Sequence, residues 1–385
     1  MRRRELLRAG LAGAGAAALS GVLWQRAFAV TALPVAAPYG ALRPADANGV
    51  ALPDGFTSRI VARSGQPVAG TGYTWHRAPD GGACFADGAG WIYVSNSEIP
   101  LGGGASAVRF AADGSVVSAY RILARTHVNC AGGATPWQTW LSCEEVTHGR
   151  VFETDPRGRR PAEVRLAMGR FKHEAAACDP ERRAVYLTED EEDGCLYRFL
   201  PETWGDLERG RLQVLCAPPG TTSGPVTWQD VPSRDGAGVP TRWQVPAALH
   251  FDGGEGCWYE SGVCYFTTKG DDRVWAYDAA ASALGLAYDA ASGGTLSGVD
   301  NITGAPRNTD LFVAEDGGNM ELNVITGDGA VAPFLRLPGQ DASEITGPAF
   351  NPAGDRLYFS SQRGHSGARS GSGGITYEVS GPFRG

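Results

Sequence analysis

Trp91-Ile92-Tyr93-Val94 is the first of six short strand cores that recur along the chain. The others are Thr139-Trp140-Leu141, Val185-Tyr186-Leu187, Cys264-Tyr265-Phe266, Leu311-Phe312-Val313 and Leu357-Tyr358-Phe359. The central aromatics at 93, 140, 186, 265, 312 and 358 lie 47, 46, 79, 47 and 46 residues apart. A period near 46 is that of a propeller or a solenoid. Ten to fourteen residues before each aromatic stands an acid or a thiol: Asp80, Cys130, Glu174, Glu255, Asp300 and Glu344. A metal-ligand type in every repeat predicts six ligands converging on one axis.

Working outward, each core is followed by a third strand: Ala107–Phe110, Arg150–Glu153, Cys195–Phe199, Arg273–Tyr277, Leu322–Ile325 and Ile375–Val379. Five repeats continue into a fourth: Val116–Leu123, Ala162–Met168, Leu212–Cys216, Gly285–Tyr288 and Val331–Leu337. The sixth repeat runs out of chain, and Thr57–Ala62 is available to complete it. Closing the ring in this way removes free sheet edges. Glycine supplies 54 of the 385 residues, helical periodicity is scarce, and short β-branched and aromatic runs are bounded by Gly, Asp and Pro. The expected fold is all-β, a six-bladed β-propeller of four-stranded blades whose last blade is closed by an N-terminal strand. The 79-residue interval holds one repeat plus about 32 further residues, read as a long loop over one face from Pro218 to Ala248.

The N-terminus reads as an address. Arg3-Arg4-Glu5-Leu6-Leu7-Arg8 fits a twin-arginine signal, and a small-residue apolar run ends at Ala27-Phe28-Ala29, an A-x-A cleavage site. The run is short and glycine-rich for a membrane span. This gives a signal at residues 1–29, one propeller domain at 30–385 with an insertion at about 218–248, and a periplasmic or secreted protein without a stable membrane anchor. The expected partner in export is the twin-arginine translocase, and the expected state is a monomer. A net charge of −8 argues against a nucleic-acid surface. Lysine occurs only at 172 and 269. The eight cysteines fit no small disulfide scaffold, and Cys84, Cys143, Cys178, Cys257 and Cys264 read as buried thiols in or beside inner strands.

In a propeller the innermost strand of each blade runs along the central channel, so the six acidic or thiol residues are expected at one mouth. Like charges crowded there raise one another's pKa or recruit cations. Carboxylate oxygens suit Ca²⁺, whereas the thiol of Cys130 points to a transition metal such as iron. Further acids follow the second strands: Glu98, Glu144, Glu145, Glu189, Asp190, Glu191, Glu315 and Asp316. In isolation Glu189 to Asp193 is a solvated acidic turn, and Glu255 between two glycines an ordinary turn residue; their place in the repeat is what recommends them. His173 precedes Glu174 and by strand alternation should face the other way, in a structural role. The chain has no G-x-S-x-G elbow, no P-loop lysine, no dinucleotide fingerprint and no zinc-ligand spacing.

Residues 129 to 145, Asn129-Cys130-Ala131-Gly132-Gly133-Ala134-Thr135-Pro136-Trp137-Gln138-Thr139-Trp140-Leu141-Ser142-Cys143-Glu144-Glu145, resemble the signature of PhoX-type alkaline phosphatases, with Gln138 where glycine is usual. His173-Glu174-Ala175, Gly253-Gly254-Glu255-Gly256, Asp300-Asn301, Ala314-Glu315-Asp316 and Glu344-Ile345-Thr346-Gly347-Pro348 are similar to the family's later motifs. The resemblance implies a propeller exported by the twin-arginine route that hydrolyses small phosphate esters, a metal-bound oxide or hydroxide attacking phosphorus. It implies a centre of two ferric ions (Fe³⁺) and calcium ions (Ca²⁺) around a bridging oxide. Cys130 would be the thiolate ligand, with carboxylates from Glu145 or its neighbour Glu144, Glu174, Asp190, Glu255 and Glu315, and further candidates in Asp80, Asp300, Asp316 and Glu344. Two other classes compete: a non-catalytic calcium-binding propeller acting as scaffold or receptor, and a calcium-dependent lactonase, which needs no cysteine ligand.

Overall fold

Side-chain alternation along each short strand buries one row of residues against the next sheet, and the result is six antiparallel sheets in a ring. The computed structural model describes residues 37–385; the signal read at 1–29 lies outside them. The inner strands are Pro79–Asp87, Asn129–Ala134, His173–Asp179, Gly254–Glu260, Val299–Gly304 and Ile345–Phe350. Each touches the next, and the last touches the first, so they form a closed tube. Small residues make this possible. A Cβ on Gly81 would lie 2.5 Å from Ala131 Cα, and one on Gly256 2.7 Å from the Ile302 amide nitrogen.

The second strands carry the repeated aromatic cores, and these fill the space between blades. Tyr93 of the first blade stacks on Tyr358 of the sixth at 4.9 Å, and Trp91 Nε1 donates to the Tyr358 hydroxyl at 3.0 Å. The sixth blade closes as expected. Thr57–Arg63 pairs antiparallel with Ile375–Ser380, from Thr57 opposite Ser380 to Arg63 opposite Ile375. Arg59 and Arg356 both bind Glu378 at 2.6 Å across this seam.

Two expectations are corrected. The fourth strand of the second blade is only Glu163–Val164, and the chain then turns through a 3₁₀ segment at Leu166–Met168. Ala167 and Met168 are drawn into the apolar cluster shared with the third blade instead of continuing the ladder. The stretch 218–248 is more than a loop over one face. Gly224–Pro225 adds to the outer edge of the fourth blade and Thr227–Asp230 to that of the third. Trp228 Nε1 donates to the Tyr277 hydroxyl at 2.8 Å, tying the outer edge of the third blade to the third strand of the fourth. Covering two outer strands satisfies backbone groups that an edge would leave open.

One irregularity recurs in all six blades. The register between inner and second strand slips between Pro79 and Gly82, Asn129 and Gly132, His173 and Ala176, Gly254 and Cys257, Val299 and Ile302, and Thr346 and Ala349. Each slip is a β-bulge in which two inner-strand residues oppose one, and a bulge re-aims the side chain it carries. The bulged pairs are Asp80-Gly81, Cys130-Ala131, Glu174-Ala175, Glu255-Gly256, Asp300-Asn301 and Gly347-Pro348.

In the second blade Thr135-Pro136-Trp137-Gln138 turns the chain between these strands, with the Gln138 amide donating to Thr135 O at 3.0 Å. Gln138 has φ of 66°, a left-handed conformation that suits glycine. Gln138→Gly is therefore expected to stabilise the fold by about 0.5–1 kcal/mol, net of glycine's greater freedom in the unfolded chain. A urea midpoint at or below the parent's would count against this.

Candidate metal centre

The bulges place Asp80, Cys130, Glu174, Glu255 and Asp300 at equivalent positions, all buried. The sixth blade breaks the set. Its bulge carries Gly347, with φ of 58°, and a Cβ there would lie 2.7 Å from Asp80 O. Glu344 lies three residues earlier and enters the mouth from the start of its strand, bridging to Asp316.

An outer tier comes from the residues after the second strands. Glu144, Glu189 and Glu315 pair in register with Asn129, His173 and Val299. By alternation these three turn into the blades. Glu144 is held by Arg150 at 2.8 and 3.0 Å and by the His127 amide at 3.0 Å. Glu315 accepts from the Ser297 and Glu321 amides and from Asn323. Glu189 binds Tyr197 and Arg242, the latter supplied by the 218–248 insertion. The next residue in each case, Glu145, Asp190 and Asp316, faces the mouth, and Glu98 does the same in the first blade. Thus Glu144 and Glu315 stand apart from the cluster that the other candidates form.

Three groups have ligand atoms within 4.8 Å of one another: Asp80, Glu98 and Cys130; Cys130, Glu145 and Glu174; and Glu174, Glu255 and Asp300. Cys130 and Glu174 are shared, so the groups adjoin. Glu174 is wholly buried, and neither of its oxygens has a hydrogen-bond partner. A buried carboxylate left in that state costs several kcal/mol. Burial, then Glu255 and Glu145, push its pKa well up. Burial, then Glu98 and Asp300, raise Asp80. Burial followed by Glu98 brings Glu145 to about 8, and burial brings Asp300 to about 6 against the pull of Lys269. The Cys130 thiol is raised by burial, then by Asp80 and Glu174. Such a set is stable as anions only when cations sit among it, and its donors fit that role: one thiol among carboxylates where three groups meet.

Some cations are already built in. Lys172 Nζ lies 3.0 Å from Glu145 and 2.5 Å from Asp190. Lys269 Nζ lies 2.9 Å from Glu255 Oε1, an ion pair off the directed geometry of a hydrogen bond, and 3.3 Å from Asp316. Arg363 reaches Glu344 at 2.9 Å, and Gln362 donates to Asp80 at 2.6 Å and to Glu98. Burial acts against charge on Lys269, but Glu255, Asp300 and Asp316 outweigh it and raise its pKa. Burial outweighed by Lys172 leaves Asp190 lowered. Lys172, Lys269, Gln362 and Arg363 were not legible as site residues, and Glu98 was one acid among eight. Their common signal is a position just past a second strand, or just before an inner one. His173 is structural as expected: it is buried, its Nε2 lies 3.1 Å from Gly169 O, and it stacks on Phe171.

The fold is a closed ring of bulged blades around an acidic, thiol-bearing mouth whose residues could hold cations at its axis. The family model described as "Alkaline phosphatase PhoX" matches residues 93–150 and 146–285, and the chain belongs to that family. It is a family of metal-dependent phosphatases that act on phosphate esters. Among solved structures, PhoX of Pseudomonas fluorescens in complex with vanadate, a transition-state analogue, aligns with a TM-score of 0.72 at 16% identity, covering 88% of this chain and 97% of that one. A gluconolactonase from Xanthomonas campestris aligns at 0.50 and 14% identity, covering 90% and 99%. A Bacteroides thetaiotaomicron protein of unknown function aligns at 0.51 and 9% identity, covering 84% and 76%. At these identities the likenesses are of fold. No curated protein matches the chain. Among the described residues no helix is long and apolar enough to cross a membrane.

Proposed function

We propose that the protein is a metal-dependent phosphomonoesterase, exported by the twin-arginine route to the periplasm or beyond. The observation that carries the reading is Glu174, whose two buried oxygens lack partners where the three ligand groups meet. Asp80, Glu98, Cys130, Glu145 and Glu174 offer the mixed thiolate and carboxylate set that suits Fe³⁺. Glu174, Glu255 and Asp300 offer an all-oxygen set that suits Ca²⁺. When bound, clustered cations lower the pKa of a water that can attack phosphorus and neutralise the charge developing on the phosphoryl oxygens.

The chain's own residues do the rest. The bulges hold the ligands on rigid inner strands, so the site needs little reorganisation on binding. Lys172 and Arg363 set positive charge at the rim, which draws a phosphate anion toward a protein of net charge −8. The mature protein, exported from a twin-arginine-competent host, is expected to contain iron and calcium and to hydrolyse p-nitrophenyl phosphate. Metal-free, colourless protein would overturn the proposal. Calcium alone without esterase activity would favour a binding scaffold, and hydrolysis of lactones alone a lactonase.

A further inference from the structure

The two tiers of the mouth are charged unequally around the ring. Going from the first blade to the sixth, the bulge residue and the residue past the second strand are Asp80 and Glu98, Cys130 and Glu145, Glu174 and Asp190, Glu255 and Lys269, Asp300 and Asp316, then Gly347 and Ser361. Lys269 thus stands where four other blades carry a carboxylate. Its ammonium group spans from Glu255 of its own blade to Asp316 of the next. Arg363 continues the series from Asp316, at 3.8 Å, to Glu344. Among the described residues no lysine, arginine or histidine comes within 4 Å of a carboxylate oxygen of Asp80, Glu98, Glu174 or Asp300. From the second blade to the sixth the outer tier is therefore paired by the chain itself, through Lys172, Lys269 and Arg363, and Glu98 and most of the inner tier are left in need of cations.

We propose that Lys269, aided by Arg363, is a tethered substitute for a divalent cation in the outer tier, so that metal ions are confined to the inner groups running from Asp80 to Asp300. Asp316 and Glu344 are then ion-pair partners, not metal ligands. The inference rests on the reading of the mouth as a metal centre. It follows from charge and reach: a carboxylate pair bridged by an ammonium group at 2.9 and 3.3 Å has the neutralisation that a bound cation would otherwise supply. A metal bridging Glu255 and Asp316 would have to share that space with the ammonium group, whereas Glu255 still offers a ligand atom within 4.8 Å of those of Glu174 and Asp300.

The test is metal content and calcium-dependent melting of the exported, metal-loaded protein and its variants. Lys269→Met is expected to gain about one calcium equivalent per chain, with a melting temperature that rises with added calcium beyond any rise in the parent. Lys269→Arg, which keeps the charge, is expected to gain none. Asp316→Asn, which leaves the fold's ion pairs at Glu255 and Glu344 in place, is expected to keep the parent's iron and calcium, whereas Glu174→Gln loses metal. Loss of calcium in Asp316→Asn, or a Lys269→Met protein with parental metal content, would overturn the proposal. A raised KM for p-nitrophenyl phosphate in Lys269→Met at unchanged metal content would also overturn it and assign the lysine to substrate. Parent protein that contains no metal would instead defeat the reading on which it rests.

Discussion

Stripped of metal, the protein is expected to lose stability as the pH rises from about 5 to 8, while the metal-loaded form loses much less. The cause is the raised acids of the mouth. Asp300 titrates at about 6 and Glu145 at about 8 in the fold, and burial raises Asp80, Glu174 and Glu255 well above the ordinary carboxylate range. In the unfolded chain such acids titrate near 4. Between those values the folded state binds more protons than the unfolded one. Stability is therefore fully present below about pH 4 and is lost as the pH passes through about 6 and then 8. Each pKa unit is worth about 1.4 kcal/mol, so Asp300 and Glu145 alone represent on the order of 5 kcal/mol. For a chain of this size that corresponds to roughly 5–10 °C in melting temperature. Glu189 and Glu315, at about 7 within the blades, act alike in both forms. The decisive quantity is thus the difference between the two melting curves; parallel pH profiles with and without a chelator would rule out cations in the mouth.

Cys130→Ala is expected to abolish the visible thiolate-to-iron absorption and to cut iron content by an order of magnitude or more. The sulfur is the only soft donor in the three ligand groups, and it belongs to two of them. Its removal leaves an all-oxygen mouth that suits calcium better than iron. Little else should change. Removing the buried sulfur costs about 1 kcal/mol, and because burial and the neighbouring carboxylates keep the metal-free thiol protonated, no charge is lost with it. Loss of iron should therefore occur in a protein that still melts within a few degrees of the metal-free parent. Absorption spectra and elemental analysis check the outcome; a variant with full colour would remove Cys130 from the site.

How much of this was written in the sequence depends on what each residue's role rests on. The period and the aromatic cores placed the six blades, and the want of a sixth outer strand pointed to Thr57–Ala62, which pairs as Thr57–Arg63. Asp80, Cys130, Glu174, Glu255 and Asp300 were visible because a bulge at one place in each blade keeps them nearly in step with the strands. Glu344 looked equivalent only because an acid lies fourteen residues before Tyr358; the bulge of that blade is at Gly347, a slip that spacing does not reveal. The adjacent pairs Glu144-Glu145 and Glu315-Asp316 could not be divided without knowing which member opposes Asn129 or Val299. Lys172, Lys269 and Arg363 carry no motif, and their meaning comes from the carboxylates that other blades bring to them. The 218–248 stretch read as a loop because its strands are only two and four residues long.

The seam between Thr57–Arg63 and Ile375–Ser380 has a consequence for the order of assembly. Its partners, such as Arg59 and Glu378, are 319 residues apart, so this pairing forms only after nearly all of the described chain has been made. The same closure brings Gln362 of the last blade onto Asp80 of the first. Until then the first and sixth inner strands are apart and the ligand ring is open. A cation bound as proposed would therefore favour closure and be favoured by it, since whatever binds only the closed form adds its free energy to the seam. Under the proposed reading the centre would act as a completion check, a finished ring holding a metal more tightly than one cut short before its final strand.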